Sequence, residues 1–279
     1  MSLLRATLLA IGLSVAVAPV TVRAEAAQMT PEVQDRLWAA LDMPGALDVM
    51  REEGQSLTRD VEEQYLAGRG GTLWNDTIAG IYAPDLMDQM MRDGMSADLA
   101  GADTDPMLAF FESDLGQRIV SLEMSAREAF LDPDTEEAAR ERVRSDMLDP
   151  DRAALIDQFI AVNDLVDYNT SGAMNTNVAF LKGLSNSEFF EMGEQEILDR
   201  VWSDSDASRA DTEEWLRAYL STAYQPLSDD DIQAYIDFSV TDAGQRLNRA
   251  LFVGFGEMYS SQYYALGLAV ADQLAGQDL

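Results

Sequence analysis

Two nonapeptides constrain this chain more than any other feature. Residues 110–118 read FFESDLGQR and residues 238–246 read FSVTDAGQR. Both fit F-x-x-[ST]-D-x-G-Q-R, with six matched positions in nine and a separation of 128 residues. Each follows an apolar helical stretch (Met107, Leu108; Tyr235, Ile236) and precedes another (Ile119, Leu122, Met124; Leu247, Leu251, Phe252). Further upstream the match fades, although Leu73 to Leu86 loosely resembles Trp215 to Leu227. The period is too long for a solenoid repeat, so two duplicated helical units are the natural reading. The pattern reads as a tight helix–helix corner. Ser113 and Thr241 are suited to cap the following helix, and Asp114 and Asp242 fall in its first turn, where the dipole favours them. Gly116 and Gly244 cost helix propensity there, which implies close approach of another helix. Gln117 and Gln245 can hydrogen-bond across the corner.

The rest of the chain reads as helix throughout. Thr30-Pro31, Asp105-Pro106, Asp132-Pro133 and Asp149-Pro150 are helix starts, with Pro placed where its missing N–H costs nothing. Ser185-x-x-Glu188 and Ser228-x-x-Asp231 read as capping boxes. From Thr241 onward, Leu247, Leu251, Phe255, Met258, Gln262, Leu266, Val270 and Leu274 recur at spacings of three and four, one face of a long helix. Gly68-Arg69-Gly70-Gly71 and the polar stretch 203–211 read as breaks. The fold class is therefore all-α, as two related helical bundles from an internal duplication. The bounds are residues 27–145 and 146–279, the core of the second unit is at about 203–274, and the join lies near 145–205.

The first 26 residues read as a secretory signal. Arg5 is the positive end, Ala6 to Ala18 are uncharged and mostly apolar, and Pro19 ends the run. Val22-Arg23-Ala24 and Ala24-Glu25-Ala26 both offer small residues for cleavage, and the second is preferred. The run is shorter than the roughly 20 apolar residues that span a bilayer. A soluble periplasmic protein without a transmembrane anchor is expected after cleavage.

The chain carries 50 Asp and Glu against 19 Lys and Arg, a formal net charge of −31, with Lys182 its one lysine. Such a surface repels phosphate backbones and anionic lipid headgroups, which argues against nucleic acid and fits a cationic partner or a counterion-rich medium better. It contains no cysteine and no histidine. That removes disulfides, thiolate nucleophiles, lipidation at a cysteine, Ser-His-Asp and Cys-His chemistry, and His-ligated zinc or iron. No cofactor is expected.

The repeated motif resembles the signature of the bacterial family called "domain of unknown function 2059", which looks like F-x-S-P-x-G-Q-K near a helix start. The resemblance implies an exported helical domain and no mechanism. The second copy, roughly Ser203 to Leu274, is the closer match in length and setting. It departs from the signature at Asp242, where Pro is frequent, and at Arg246, where Lys is frequent. The first copy, roughly Leu73 to Glu141, is the weaker.

The remaining chemistry rests on carboxylates. Glu112 follows Phe110 and Phe111, and Glu188 precedes Phe189 and Phe190, so either can serve as an acid raised by an apolar setting, as a glycan hydrolase or transglycosylase requires. Acidic stretches at 103–105, 132–134, 204–206 and 229–231 lack the calcium-loop pattern and sit at helix starts. Met87, Met90, Met91 and Met95 offer soft ligands for copper, but their spacing is that of a core face. Lys182 has no serine three residues before it, which argues against a Ser–Lys dyad. Tyr259, Tyr263 and Tyr264, after Phe252 and Phe255, are either a buried central helix or a groove wall that receives a partner. The leading expectation is a non-enzymatic module that binds a periplasmic or envelope protein in a groove between helices. The candidate binding residues are Phe110, Ser113, Asp114, Gly116, Gln117, Arg118, Phe238, Thr241, Asp242, Gly244, Gln245, Arg246, Tyr259 and Tyr263. The rival is a carboxylate-dependent envelope hydrolase or transglycosylase.

Overall fold

Proline and short polar side chains set most of the helix starts. Thr30 caps α1 (Pro31–Ala40), its hydroxyl accepting from the Val33 N–H. Asp132 and Asp149 do the same for α7 (Pro133–Arg144) and α8 (Pro150–Val162). Ser228 and Asp231 form a complete capping box at α12 (Asp229–Ser239). At α5 (Asp105–Phe111) the start moves by one residue: Asp105 is the first helical residue, and its N–H donates to Asp103 Oδ1 at 3.2 Å.

The computed structural model describes residues 29–186, 190–203 and 205–277, and every regular element among them is an α-helix. The expected leader, residues 1–26, lies outside these, as does Glu188. The remaining helices are α2 (Met43–Leu66), α3 (Gly71–Ile81), α4 (Pro84–Leu99), α6 (Asp114–Ala129), α9 (Leu165–Leu184), α10 (Glu194–Ser203), α11 (Ser205–Ala223) and α13 (Asp242–Gln277). Among the described residues no helix is long and apolar enough to cross a membrane.

Two expectations need correction. Ser185 ends a helix rather than starting one, because its hydroxyl donates to Leu181 O at 2.7 Å and closes the last turn of α9. Residues 205–211 are the start of α11, not a break. Their polarity reports exposure, and Ala207, Arg209 and Ala210 are good helix formers. The stretch near 145–205, where the join is expected, carries α8, α9 and α10.

Helix α13 is the axis of the molecule, about 54 Å long at 1.5 Å per residue. Its stripe is the one expected: Leu247, Met258, Leu266 and Val270 are buried, and Leu251, Phe255 and Leu274 pack at the margin. It lies along α9 on one side and α4 on the other. Met87, Met91 and Met95 of α4 are core residues of that contact. The α9–α13 seam is close enough that a Cβ on Gly183 would sit 2.2 Å from Tyr264 O, and one on Gly267 would sit 2.2 Å from Phe180 O.

The packing scheme occurs twice. Helices α1 and α2 meet at Asp42, which has a left-handed backbone (φ 46°), and α8 and α9 meet at Asp164 (φ 50°). Asp is among the few residues that tolerate this region. Helix α1 packs on α5 as α8 packs on α12, and α2 packs on α4 and α6 as α9 packs on α11 and α13. The fourth helix of each set crosses over: α4 packs on α13, and α11 packs on α6. The largest core cluster accordingly joins Leu37, Trp74 and Met107 to Leu184, Leu247 and Val270, and the second joins Ile119 and Ala126 to Ile156, Leu216 and Ile236.

Candidate functional site

The repeated motif builds two corners of the same geometry. In the first, Ser113 Oγ accepts from Gly116 N at 3.1 Å and donates to Phe110 O at 2.6 Å. In the second, Thr241 Oγ1 accepts from Gly244 N at 3.0 Å and donates to Phe238 O at 2.6 Å. Glycine is required because a Cβ on Gly116 would lie 2.2 Å from Phe110 O, and one on Gly244 2.3 Å from Phe238 O. The helix whose close approach the sequence implied is the preceding one, α5 at Gly116 and α12 at Gly244. Asp114 and Asp242 open α6 and α13 in the first turn.

Each corner glutamine ties a third helix to the corner. Gln117 Nε2 donates to Phe111 O at 2.6 Å and to Ala40 O at 2.8 Å, at the end of α1. Gln245 Nε2 donates to Ser239 O at 2.8 Å and to Val162 O at 2.7 Å, at the end of α8. Replacing either glutamine by Ala strands two partly buried carbonyls, so urea unfolding should show a loss of about 2 kcal/mol for Gln117→Ala and a similar loss for Gln245→Ala.

The two corners meet. Phe110 and Phe238 stack with centroids 4.3 Å apart and planes 13° from parallel. Arg118 reaches across to Asp231 at 2.7 Å. Arg246 donates to Asp98 O from both Nε (2.7 Å) and Nη2. The candidate residues of the motif are thus brought together as a joint between helices.

Two clefts flank α2. The larger, of about 300 Å3, lies between α2, α9, α10, α11 and α13. Leu57, Val61, Phe180, Leu181, Val201 and Leu266 form its apolar wall. Gln64, Asn177, Arg200 and Ser208 supply its polar groups. Tyr263 lines it too, whereas Tyr259 turns to the interior and its hydroxyl accepts from Arg127 Nη2 at 3.5 Å. The Tyr65 ring packs on Phe180 and Phe190, with centroids 5.7 and 6.1 Å away. The smaller cleft, of about 230 Å3, lies between α2 and α3 and is polar, with Gln55, Arg59, Glu62 and Asn75 around Trp74.

Of the two proposed acids, Glu188 lies outside the described residues. Glu112 is exposed and held bidentately by Arg36 at 2.7 and 3.0 Å. The hydrogen bonds from Arg36 hold its carboxyl below the usual range, the reverse of what a proton donor at neutral pH requires.

The carboxyl that is raised is one that sequence reasoning passed over. Glu123 accepts from Tyr224 Oη at 2.5 Å, while Tyr219 Oη donates to its backbone carbonyl at 2.8 Å. Burial pushes its pKa up to about 7 against the opposing hydrogen bond from Tyr224. The nearest turn carries Arg127, but that guanidinium grips Glu53 at 2.9 Å through both forks. One signal was available: Glu123 sits four residues after Ile119 and three before Ala126, both buried core residues of α6. Glu123 lines neither cleft. Among the described residues no group of three or more Asp and Glu is placed to hold a metal ion.

Among the described residues, fold and site define an all-helical protein with a cleft of mixed lining between five helices. Residues 84–145 match the sequence profile of the family described as "Uncharacterized protein conserved in bacteria (DUF2059)". This is the family that the repeated motif resembles. The match runs from α4 through α7 and includes the first corner. It falls on the copy held to be the weaker one, and it does not extend to residues 203–274. No curated protein and no solved structure matches the chain.

Proposed function

We propose that the protein is exported to the periplasm and is a non-enzymatic binding module of the cell envelope, taking its ligand in the cleft between α2, α9, α10, α11 and α13. One observation carries this reading. The cleft is a concave surface where apolar side chains such as Leu57, Val61 and Phe180 stand among polar ones such as Gln64, Asn177 and Arg200, a mixture able to bind and orient a ligand. Its volume of about 300 Å3 is at the lower end for such sites. The leader at residues 1–26 supports export. The matched geometry of the corners at Ser113 and Thr241 supports descent of the chain from one duplicated helical unit.

The test is to fill the cleft. Ser208→Trp places an indole in its mouth from α11. The full chain and the variant, both tagged and expressed with the leader, would be purified in parallel from envelope extract, and their bound proteins, lipids and glycans identified by mass spectrometry. We expect the native chain to retain material that Ser208→Trp loses, with unchanged circular dichroism. Equal retention by both would place binding elsewhere and sink this reading.

A further inference from the structure

We propose that the cleft takes a free fatty carboxylate, a single apolar chain with one anionic end; this rests on the cleft being the ligand site. The reason lies in how the chain disposes of its cations. Among the described residues nearly every basic side chain is engaged: Arg36 with Glu112, Arg92 with Asp35 and Asp88, Arg140 with Glu136 and Glu214, Lys182 with Glu194. Even those without a carboxylate find an oxygen, as Arg69 does at Leu66 O and Arg142 at Thr222 Oγ1. Two described cations, Arg59 and Arg200, have neither a hydrogen bond nor an ion pair, and each lines one of the two clefts.

In a chain with 50 acidic residues, a guanidinium left unengaged at an apolar cleft is a local reversal of the surrounding field. At the larger cleft Arg200 is the one charged group among the described lining residues, and its planar fork matches a carboxylate. One cation balances one negative charge. Gln64, Asn177 and Ser208 add polar contacts around that end. Leu57 and Phe180, both half-buried, offer a wall for a hydrocarbon chain, with Val61 beneath them. The smaller cleft sets Glu62 beside Arg59 in its lining, so it offers no net positive charge.

Isothermal titration of the full chain would test this with laurate, decanoate, dodecyltrimethylammonium and lauroyl lysophosphatidylglycerol, each below its micellar concentration. Laurate should bind one to one. Each methylene is expected to contribute about fourfold, so decanoate should bind roughly 16-fold more weakly. Arg200→Gln should weaken laurate by about tenfold or more, with unchanged circular dichroism. Equal binding of the cationic amphiphile, indifference of laurate to Arg200→Gln, or binding of the lysophospholipid alone would each overturn the proposal. If no amphiphile binds while Ser208→Trp still abolishes capture from envelope extract, the fatty carboxylate is wrong and the cleft remains the site. If Ser208→Trp changes neither titration nor capture, both readings fall.

Discussion

Replacing Gly183 or Gly267 by Ala should lower stability by about 2 kcal/mol, while the same replacement at Gly172 or Gly256 should raise it by about 1 kcal/mol. The four glycines lie in the same two helices, α9 and α13, three of them in helix interiors and Gly183 in the last turn of α9, where propensity weighs less. In an interior it favours Ala by close to 1 kcal/mol. What differs is the space. A Cβ at Gly172 or Gly256 meets nothing within 4 Å, and propensity decides the sign. At Gly183 and Gly267 the new atom would stand 2.2 Å from a backbone carbonyl across the seam, and a backbone atom cannot swing aside. The helices must separate, and overpacking of this kind typically costs 1–3 kcal/mol or more. At the size of this chain the loss corresponds to a melting temperature lower by about 6 °C. Thermal unfolding followed at 222 nm would check all four. A neutral Gly183→Ala would show that α9 and α13 do not approach as described.

The second large effect is a dependence on pH that runs against the usual direction. Below about pH 4.5, Glu123 holds its proton in both the folded and unfolded chain and contributes nothing. Between about 4.5 and 7 the unfolded chain releases that proton and the folded chain keeps it, so stability falls as pH rises. Above 7 the full cost is present, about 3 kcal/mol over the whole window. Glu112, Glu141 and Asp231 are held low by their partners and act in the opposite sense, losing their contribution as the medium becomes acid. Glu123→Gln keeps an acceptor for Tyr224 and removes the titration. Urea unfolding at pH 8 should find this variant more stable than the native chain by about 2–3 kcal/mol, with the gap closing near pH 5. A gap that does not change between pH 5 and 8 would mean that Glu123 is hydrated in the folded chain.

What the sequence revealed was what is local or periodic. Asp132-Pro133, Asp149-Pro150 and Ser228-x-x-Asp231 report their helix starts because cap and capped N–H are within three residues of each other. The α13 stripe is legible because one period runs through it without a break. The corner at Gly116 was legible as a corner, and its repetition at Gly244 placed the second one. Ser185 failed because the pattern of a capping box is also compatible with a serine that closes the helix before it. Residues 205–211 failed because polarity distinguishes surface from core, not loop from helix. The larger cleft had no sequence signature: Leu57, Phe180, Arg200 and Leu266 are far apart in the chain and become neighbours only when four helices assemble. Of that cleft, the aromatic run at the end of the chain pointed to Tyr263 alone. Glu123 was hidden among 50 acids, and only its register on α6 sets it apart.

The crossover of α4 onto α13 and of α11 onto α6 has a consequence for the order of events in folding. The contacts that bury Met87, Met91 and Met95 cannot form until a helix starting at residue 242 exists, and those that bury Ile119 and Ala126 wait for α11. A nascent chain cut short before α13 therefore lacks the surface its own early helices need, and no fragment ending near residue 145 carries a closed apolar interior. Acquisition of the native state should be a late, concerted event with many distant pairings made together, slow for an all-helical chain of this size. Until that moment the inward faces of α4 and α6 lack the helices that cover them in the native chain.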